Sequence, residues 1–259
     1  MARFFRKVLR ALANYDPSFC DMYEDAHAQV VAADYLRHIR HHVQEQLGNQ
    51  RLSMLDAGCQ AGRLLIPLAQ DGHTMIGLDA SQFAFRRVRH RVKTHRLAIR
   101  LIRGDLAHLP QWIKPASLDA VICTEVLYLC QDYRTLLRLL VEAVKPSGLL
   151  FVSHRPTLYY VTRALLNGQP DQAAEFLERS EGPSTDGAYH NWQTPEQLAA
   201  LYRSLGLRVI ECYPIDQHTI QLNLTQARAQ VAQWLRTTMT GDACHIPTYF
   251  FIVAQKPHD

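Results

Sequence analysis

The sequence predicts a doubly wound α/β domain on three observations. Strand-like and helix-like segments alternate from Leu52 to Ser153, a glycine-rich turn joins the first strand to the first helix, and single acidic residues, Asp79 and Asp105, follow the second and third strands. Leu52 to Ala57 is a short apolar strand, and Arg63 to Gln70 continues as a helix. Thr74 to Leu78 is the second strand, followed by a basic helix from Ser81 to His95 with Ser81 as its N-cap. Ala98 to Ile102 and Leu118 to Cys123 are the third and fourth strands. Tyr133 to Val144 is a helix stopped by Lys145-Pro146-Ser147-Gly148, and Leu149 to Ser153 is the fifth strand. After a mixed stretch from about Arg155 to Gln193, Thr194-Pro195-Glu196 opens another helix: Thr caps it and Pro occupies the first turn. That helix ends at Gly206, and Leu207 to Tyr213 is the sixth strand. An insert spans about Pro214 to Pro247, with a helix near Leu224 to Arg236, and Thr248 to Ala254 is the last strand. Ahead of all this, Arg3 to about Leu47 reads as helical and polar-rich, stopped by Gly48 and Asn49. Residues 1–50 are therefore expected to be a helical cap on a domain running from 51 to 259, with inserts at about 155–193 and 214–247.

Composition excludes several classes. At 259 residues, 47% hydrophobic and 20% charged, the chain can bury a core and is not a disordered sequence. A net charge of +4 is too mild to predict nucleic-acid binding by itself. The longest apolar runs are strand-sized, so no membrane-spanning helix is expected. Met1 to Leu12 carries basic residues but neither an uninterrupted apolar stretch nor a clear cleavage site, so a cytoplasmic protein is expected. None of the six cysteines forms a C-x-x-C pair, so the spacing gives no zinc site. Cys59, Cys123 and Cys212 lie in or beside apolar strand-like runs and read as reduced, buried thiols. No metal is expected: His38, His41 and His42 share helical spacing without an obvious acidic or Cys partner and read as a solvated helix face. The run Arg86, Arg87, Arg89, His90, Arg91, Lys93, His95 and Arg96 reads mainly as the outer face of a helix rather than a nucleic-acid patch.

The chemistry is carried by the segment Met54-Leu55-Asp56-Ala57-Gly58-Cys59-Gln60-Ala61-Gly62-Arg63 at the first strand-to-helix junction. A glycine-rich turn there lets the backbone approach a ligand and aims helix N–H groups at it. Asp79, at the end of the next strand, can accept hydrogen bonds from both hydroxyls of a ribose. Asp105, in Arg103-Gly104-Asp105-Leu106, can meet the exocyclic amine of an adenine.

Together these positions resemble the class I S-adenosylmethionine (SAM)-dependent methyltransferases, particularly those related to the ubiquinone and menaquinone pathway enzymes. Asp56, Gly58 and Gly62 match the first motif of that family, Asp79 the ribose-binding acid, and Asp105-Leu106 the adenine side. Leu118 to Leu127 (Leu-Asp-Ala-Val-Ile-Cys-Thr-Glu-Val-Leu) matches its fourth strand and following loop, and Lys145-Pro146-Ser147-Gly148-Leu149-Leu150 its turn before strand five. The resemblance covers about Arg51 to Arg155 well and the strand order beyond it in outline. It implies a Rossmann-like sheet of seven strands, mostly parallel with an antiparallel last strand, helical lid insertions, and SAM as cofactor. The implied cofactor contacts are Asp56, Gly58, Cys59, Gln60, Gly62, Asp79, Ala80, Asp105, Leu106, Thr124 and Glu125. The sequence departs from the family pattern twice. Gln60 stands at the usual middle glycine, where its side chain either hydrogen-bonds the methionine end of SAM or narrows its path. Glu125-Val126-Leu127-Tyr128-Leu129 lacks the Glu-His pair often found after strand four, which weakens any metal-assisted chemistry.

Asp56 has two readings, one holding the backbone of its own loop and one placing the cofactor's amino group. His154, at the end of the fifth strand on the edge where open α/β sheets bind ligands, is the first candidate for a general base, with a polar loop residue as the alternative. His190 and Tyr189 are weaker candidates. Tyr159, Tyr160, Phe176, Tyr189 and Trp192 either line an acceptor pocket or form the core of a lid. The expected partner is a small-molecule acceptor, and the expected state a monomer or homodimer. The amphipathic start, with Phe4, Phe5, Val8, Leu9 and Leu12 among basic residues, is expected to act as a lid, with weak membrane contact as the alternative. An NAD-dependent dehydrogenase is disfavoured because Gly58-Cys59-Gln60-Ala61-Gly62 is not G-x-G-x-x-G and because Asp105 would have no role. An RNA methyltransferase and a non-catalytic SAM-binding relative remain as alternatives.

Overall fold

The computed structural model describes residues 21–184, 187–222, 224–239 and 244–258. The segment Arg3 to Leu12, read as a lid helix, lies outside them. The described chain divides into two compact units. The first holds the residues up to Cys123, Arg138–Phe151 and those from Lys256 onward; the second holds Thr124–Leu137 and those within Val152–Gln255.

The first unit begins with α1 (Ala26–Leu47). Its N-cap, Asp25, accepts the Ala28 N–H at 2.7 Å, and Val31, Tyr35, Ile39 and Val43 recur every fourth residue on its buried face. Then follow β1 (Ser53–Ala57), α2 (Leu65–Gln70), β2 (Thr74–Asp79), α3 (Gln82–Thr94), β3 (Arg100–Arg103) and β4 (Leu118–Cys123). The strands β1 to β4 pair in parallel, with Leu55 opposite both Ile76 and Val121 and Leu78 opposite Ile102. Met54, Leu55, Ala120, Val121 and Ile122 are sealed from solvent, as strands covered on both faces by helices must be. Next come α4 (Tyr133–Ala143) and β5 (Val144–His154). The second unit continues with α5 (Thr157–Leu166), α6 (Pro170–Glu178), β6 (Glu181–Pro183), β7 (Tyr189–Asn191), α7 (Pro195–Ser204), β8 (Arg208–Ile220), α8 (Ala229–Thr238) and β9 (Cys244–Gln255). The main sheet has seven strands in the order β3-β2-β1-β4-β5-β9-β8, and β8 and β9 are antiparallel. This is the expected doubly wound sheet with an antiparallel last strand. The expected cap at Thr194 is a full capping box: Thr194 Oγ1 accepts the Gln197 N–H at 3.3 Å, and Gln197 Oε1 accepts the Thr194 N–H at 2.9 Å.

Two segments differ from the sequence reading. The two ends of Pro214 to Pro247, expected as an insert, are arms of a long β8–β9 pair, with Pro214 opposite Phe250 and Gln217 opposite Pro247, and the expected helix lies between them as α8. Pro214 signalled a strand end, but β8 is the sheet's edge, where a residue without an N–H interrupts no ladder. The stretch 155–193, expected to be mixed, holds two helices and the small β6–β7 hairpin around a core of its own. Tyr160, Val161, Phe176, Trp192, Val231 and Leu235 are its fully buried centre. The scattered Gly and Pro mark helix ends: Gly168 ends α5 and Pro170 begins α6. Trp192 anchors this core. Its ring is 4.8 Å from Phe176 and 5.1 Å from Tyr160, and its indole N–H is shared by the carbonyls of Phe176 at 2.9 Å and Arg179 at 2.8 Å.

Trp192→Ala therefore removes a large buried ring and leaves two carbonyls without a donor. The variant is expected to lose about 3–5 kcal/mol of stability, measured by urea unfolding. An unchanged midpoint would mean that this cluster does not support the second unit.

Candidate active site

The turn after β1 is built by backbone geometry. Gly58 (φ +85°) and Gly62 (φ +95°) occupy the left-handed region, which favours glycine. A Cβ on Gly62 would stand 3.0 Å from Ile66 and from Val88, so the absent side chain lets the turn close onto α2 and α3. The N–H groups of Gly58 and Cys59 both donate to the Leu78 carbonyl, at 2.7 and 3.1 Å, which fastens this turn to the end of β2. Cys59 is buried, and burial pushes its thiol far up, so it is a packing residue and not a nucleophile.

Asp79 sits at the same junction. Its carboxylate accepts the Gln60 N–H at 2.8 Å on one oxygen and the Ser81 N–H at 2.7 Å on the other. Each oxygen keeps further acceptor capacity, as a carboxylate offers about four lone-pair sites. Burial pushes the Asp79 pKa up, and the Ser81 and Gln60 N–H groups oppose that. Gln60 itself has φ +43°, and its side-chain oxygen turns back to accept the Ala61 N–H at 3.1 Å. Asp56 is buried and faces inward. Burial, reinforced by the Asp79 charge, pushes its carboxyl up to about 7, against the Arg63 charge and a hydrogen bond from the Leu65 backbone. That last contact ties Asp56 to the start of α2 and favours the loop-holding reading. Ala80 is exposed beside Asp79.

The third acidic position is set by an aromatic ring. A Cβ on Gly104 would fall 2.1 Å from the Trp112 ring, so only glycine fits beneath that indole. The Gly104 N–H donates to the Asp79 carbonyl at 3.0 Å, which fixes the turn after β3 to the end of β2. Asp105 caps a short 3-10 turn by accepting the Ala107 N–H at 3.1 Å and is partly exposed, while Leu106 is buried below it.

The basic α3 helix is less solvated than its sequence suggested. Arg91 is buried. It donates to Asp21 at 3.1 and 2.7 Å, to Glu24 at 2.6 Å and to the Ala61 carbonyl at 3.3 Å, and it stacks 4.3 Å over Tyr23. Arg87 also pairs with Asp21, at 3.0 Å. Both arginines hold the segment before α1 against the helix, and Arg91 also reaches the glycine turn. Likewise His38 and His42, read as a solvated face, are buried in α1. Among the described residues no group of His, Cys, Asp or Glu is arranged to hold a metal.

In the second unit, Thr124 is buried and Glu125 adopts φ +61°. The Glu125 N–H donates to Ser153 Oγ at 2.6 Å, and its carboxylate accepts the Tyr249 hydroxyl at 3.1 Å. Asn191 Nδ2 donates to the carbonyls of Leu127 at 2.8 Å and Cys130 at 3.2 Å, clamping the same loop. His154 does not suit the general-base role expected of it. It is fully buried, shares a 2.9 Å hydrogen bond with the Tyr202 hydroxyl, and burial lowers its pKa to about 3. A base must reach its proton, and an imidazole this weak and this enclosed acts as a core residue. His190 is partly exposed. Its Nδ1 is hydrogen-bonded to the Tyr160 hydroxyl at 2.7 Å, and its ring stands edge-on to Tyr128 at 5.5 Å. Of the aromatics expected either to line a pocket or to form the core of a lid, Tyr160, Phe176 and Trp192 are core, and Tyr189 donates to Glu181 at 2.6 Å. Tyr159 instead joins Tyr128 and Tyr249 around Arg155, three residues that sequence patterning gave no reason to group.

Residues 55–152 match a family model described as a methyltransferase domain. Residues 55–152 carry a methyltransferase domain, similar to those of the class I SAM-dependent enzymes. The methyltransferase is 26% identical over 165 residues to the mitochondrial ubiquinone biosynthesis O-methyltransferase of Bos taurus, a match covering 61% of this chain and 42% of that relative. It is also 26% identical over 215 residues to the ubiquinone biosynthesis O-methyltransferase of a Methylobacterium species, covering 76% of this chain and 78% of that one. The match thus spans less than half the length of the bovine relative and about three quarters of the bacterial one. Among solved structures, the magnesium protoporphyrin IX methyltransferase of Synechocystis with bound SAH shares the fold at a TM-score of 0.57 and 15% identity, covering 97% of this chain and 94% of that one. A SAM-dependent methyltransferase from Mesorhizobium loti does so at 0.55 and 18%, covering 83% and 97%.

The cofactor of this methyltransferase is SAM, and the first unit's turn fits it. The glycines leave the backbone open to close approach, and the Asp79 carboxylate retains acceptor capacity beside them. Asp79→Asn is expected to weaken SAH binding at least tenfold by calorimetry, because charge-assisted hydrogen bonds of about 1.5–3 kcal/mol each are reduced to neutral ones. Unchanged affinity would remove Asp79 from the site. Asp56 generates a pH dependence. Its folded pKa, about 7, lies above the ordinary 3.8, so the folded state binds this proton more tightly. The stability it lends is full below pH 4 and declines as pH rises through 7. The stability of Asp56→Asn relative to wild type should therefore increase between pH 5 and pH 8 in urea titrations. A flat difference would show that Asp56 ionises as freely as in the unfolded chain.

Proposed function

We propose that this methyltransferase acts on an oxygen of a small-molecule acceptor, with His190 as the base that takes the acceptor's proton. The observation that carries this reading is the partly exposed His190, held by the Tyr160 hydroxyl at 2.7 Å and bordered by Tyr128. When bound, SAM supplies a methyl group on a cationic sulfur whose departure is neutral, so the protein's share is binding, orientation and proton removal. In this reading Asp79 holds the ribose hydroxyls and Asp105 the adenine amine. Asp56, Gly58 and Gly62 keep the turn in shape, and Gln60 stiffens it through the Ala61 N–H. Cys59, Ala80 and Leu106 flank these turns, and in the second unit Glu125 acts through its bond to Tyr249. If the Nδ1–H donates to Tyr160, Nε2 is the basic nitrogen, and the tyrosine sets the tautomer. An oxygen acceptor is supported by the relatives, which are named as O-methyltransferases. Nucleic acid is disfavoured because Arg87 and Arg91 are committed to Asp21 and Glu24. Burial pushes the thiols of Cys59 and Cys212 up, in keeping with reduced packing residues and a reducing, cytoplasmic setting.

The test is methyl transfer from labelled SAM to a panel of phenols, catechols and hydroxy acids, with total RNA as the competing substrate. A labelled small-molecule ether is expected. His190→Gln should lower kcat about 10²-fold or more at pH 7 with the KM for SAM unchanged, and should abolish the acidic limb of the pH–rate profile. Label in RNA alone, or full activity in His190→Gln, would overturn this assignment.

A further inference from the structure

Arg155, immediately after β5, is a cation set among rings. Its guanidinium carbon lies 4.2 Å from the centre of Tyr159, 4.4 Å from Tyr249 and 4.8 Å from Tyr128. Nη2 donates to the Tyr249 hydroxyl at 3.0 Å, and that hydroxyl donates onward to Glu125 at 3.1 Å. Nε and Nη1 are closed off from solvent and have no acceptor at full hydrogen-bond distance; the Tyr128 hydroxyl gives the guanidinium only a weaker contact. Among the described residues Arg155 forms no ion pair, and the carboxylate of this network, Glu125, is one phenol removed. Ring faces stabilise the charge, but they do not replace acceptors for the in-plane N–H bonds. A buried guanidinium with unmet donors is costly unless something answers it.

We propose that Arg155 is the anchor for a carboxylate on the acceptor. This rests on the small-molecule reading above and gives it a substrate class. Tyr128 borders both Arg155 and His190, so a flat hydroxy acid lying along that ring would place its acid on the guanidinium and its hydroxyl toward the imidazole. A carboxylate suits the site better than a phosphate. The site offers one planar guanidinium, and the Glu125 charge in the same network opposes a dianion. Arg163 reaches only the hydroxyl of Tyr159, at 3.3 Å. Tyr128 and Tyr249 are buried and Tyr159 is partly exposed, so an acid that reaches Nε and Nη1 must displace the Tyr159 ring.

The experiment is calorimetry on SAH-saturated protein with matched pairs: benzoate, 4-hydroxybenzoate and 3,4-dihydroxybenzoate, each against its neutral amide. The wild type is expected to bind acids at least tenfold more tightly than amides. Arg155→Met should erase that preference with SAH affinity unchanged, and its Tm without acid should be unchanged or raised, since an unanswered buried charge has been removed. Arg155→Lys should restore part of the preference. Equal binding of acids and amides, or no binding of any acid, overturns the proposal. So does a preference that survives in Arg155→Met, or a lowered Tm in that variant, which would make Arg155 a packing residue. Loss of SAH binding by the wild type would instead strike the methyltransferase reading, and transfer to a neutral catechol without an acid preference would spare that reading and remove only this one.

Discussion

The end of β2 is the point on which the cofactor site depends. The Leu78 carbonyl takes the Gly58 and Cys59 N–H groups, the Asp79 carbonyl takes that of Gly104, and the Asp79 carboxylate takes those of Gln60 and Ser81. The turns after β1, β2 and β3 are thereby held by two consecutive residues. A site for a nucleoside needs its backbone fixed before the ligand arrives, because otherwise binding must order the loops as well. Here the acid that would meet a ribose is also part of the frame, so its position does not depend on the ligand.

Two arginines illustrate how burial separates structure from chemistry. Arg91 meets Asp21, Glu24 and the Ala61 carbonyl, so its charge is balanced and most of its donors are used. It belongs to the frame, linking the chain ahead of α1 to the glycine turn. Arg155 is half-buried, and its one full hydrogen bond is to the Tyr249 hydroxyl. The first arrangement is self-sufficient. The second leaves Nε and Nη1 unmet, and that is the observation behind its assignment as an anion anchor.

What could be read from the sequence was local. The Gly58–Gly62 turn, Asp79 and Asp105 lie within a few residues of predicted strand ends, and strand periodicity placed them without knowledge of the rest of the chain. The Thr194 capping box was legible for the same reason. What could not be read was long-range. Arg91 looked solvated because its partners precede it by about seventy positions. His154 looked like a base because the strand end is the ligand edge, but Tyr202, 48 residues on, closes it off. Gly104 carried no signal of its own; its need for glycine comes from Trp112 folding back over it. Pro214 read as a strand end because an edge strand cannot be told from a central one before the sheet order is known.

Among the described residues, two of the six non-glycine residues at positive φ lie in turns that follow strands. Gln60 and Glu125 are non-glycine residues at φ +43° and +61°, the first in the turn after β1 and the second two residues after β4. Such conformations cost on the order of 1 kcal/mol or more and persist where the surroundings hold them. Each has a holder. Gln60 donates its N–H to Asp79 and uses its own side chain to take the Ala61 N–H; Glu125 donates to Ser153 and takes the Tyr249 hydroxyl. A glycine would adopt either conformation without strain, yet it would give up the side-chain bond that fixes the next link. At position 60 the chain therefore exchanges the conformational ease of the family's glycine for a turn that is tied by its own side chain. At position 125 the strained residue supplies the carboxylate that accepts the Tyr249 hydroxyl, and that hydroxyl takes the Arg155 Nη2 hydrogen bond.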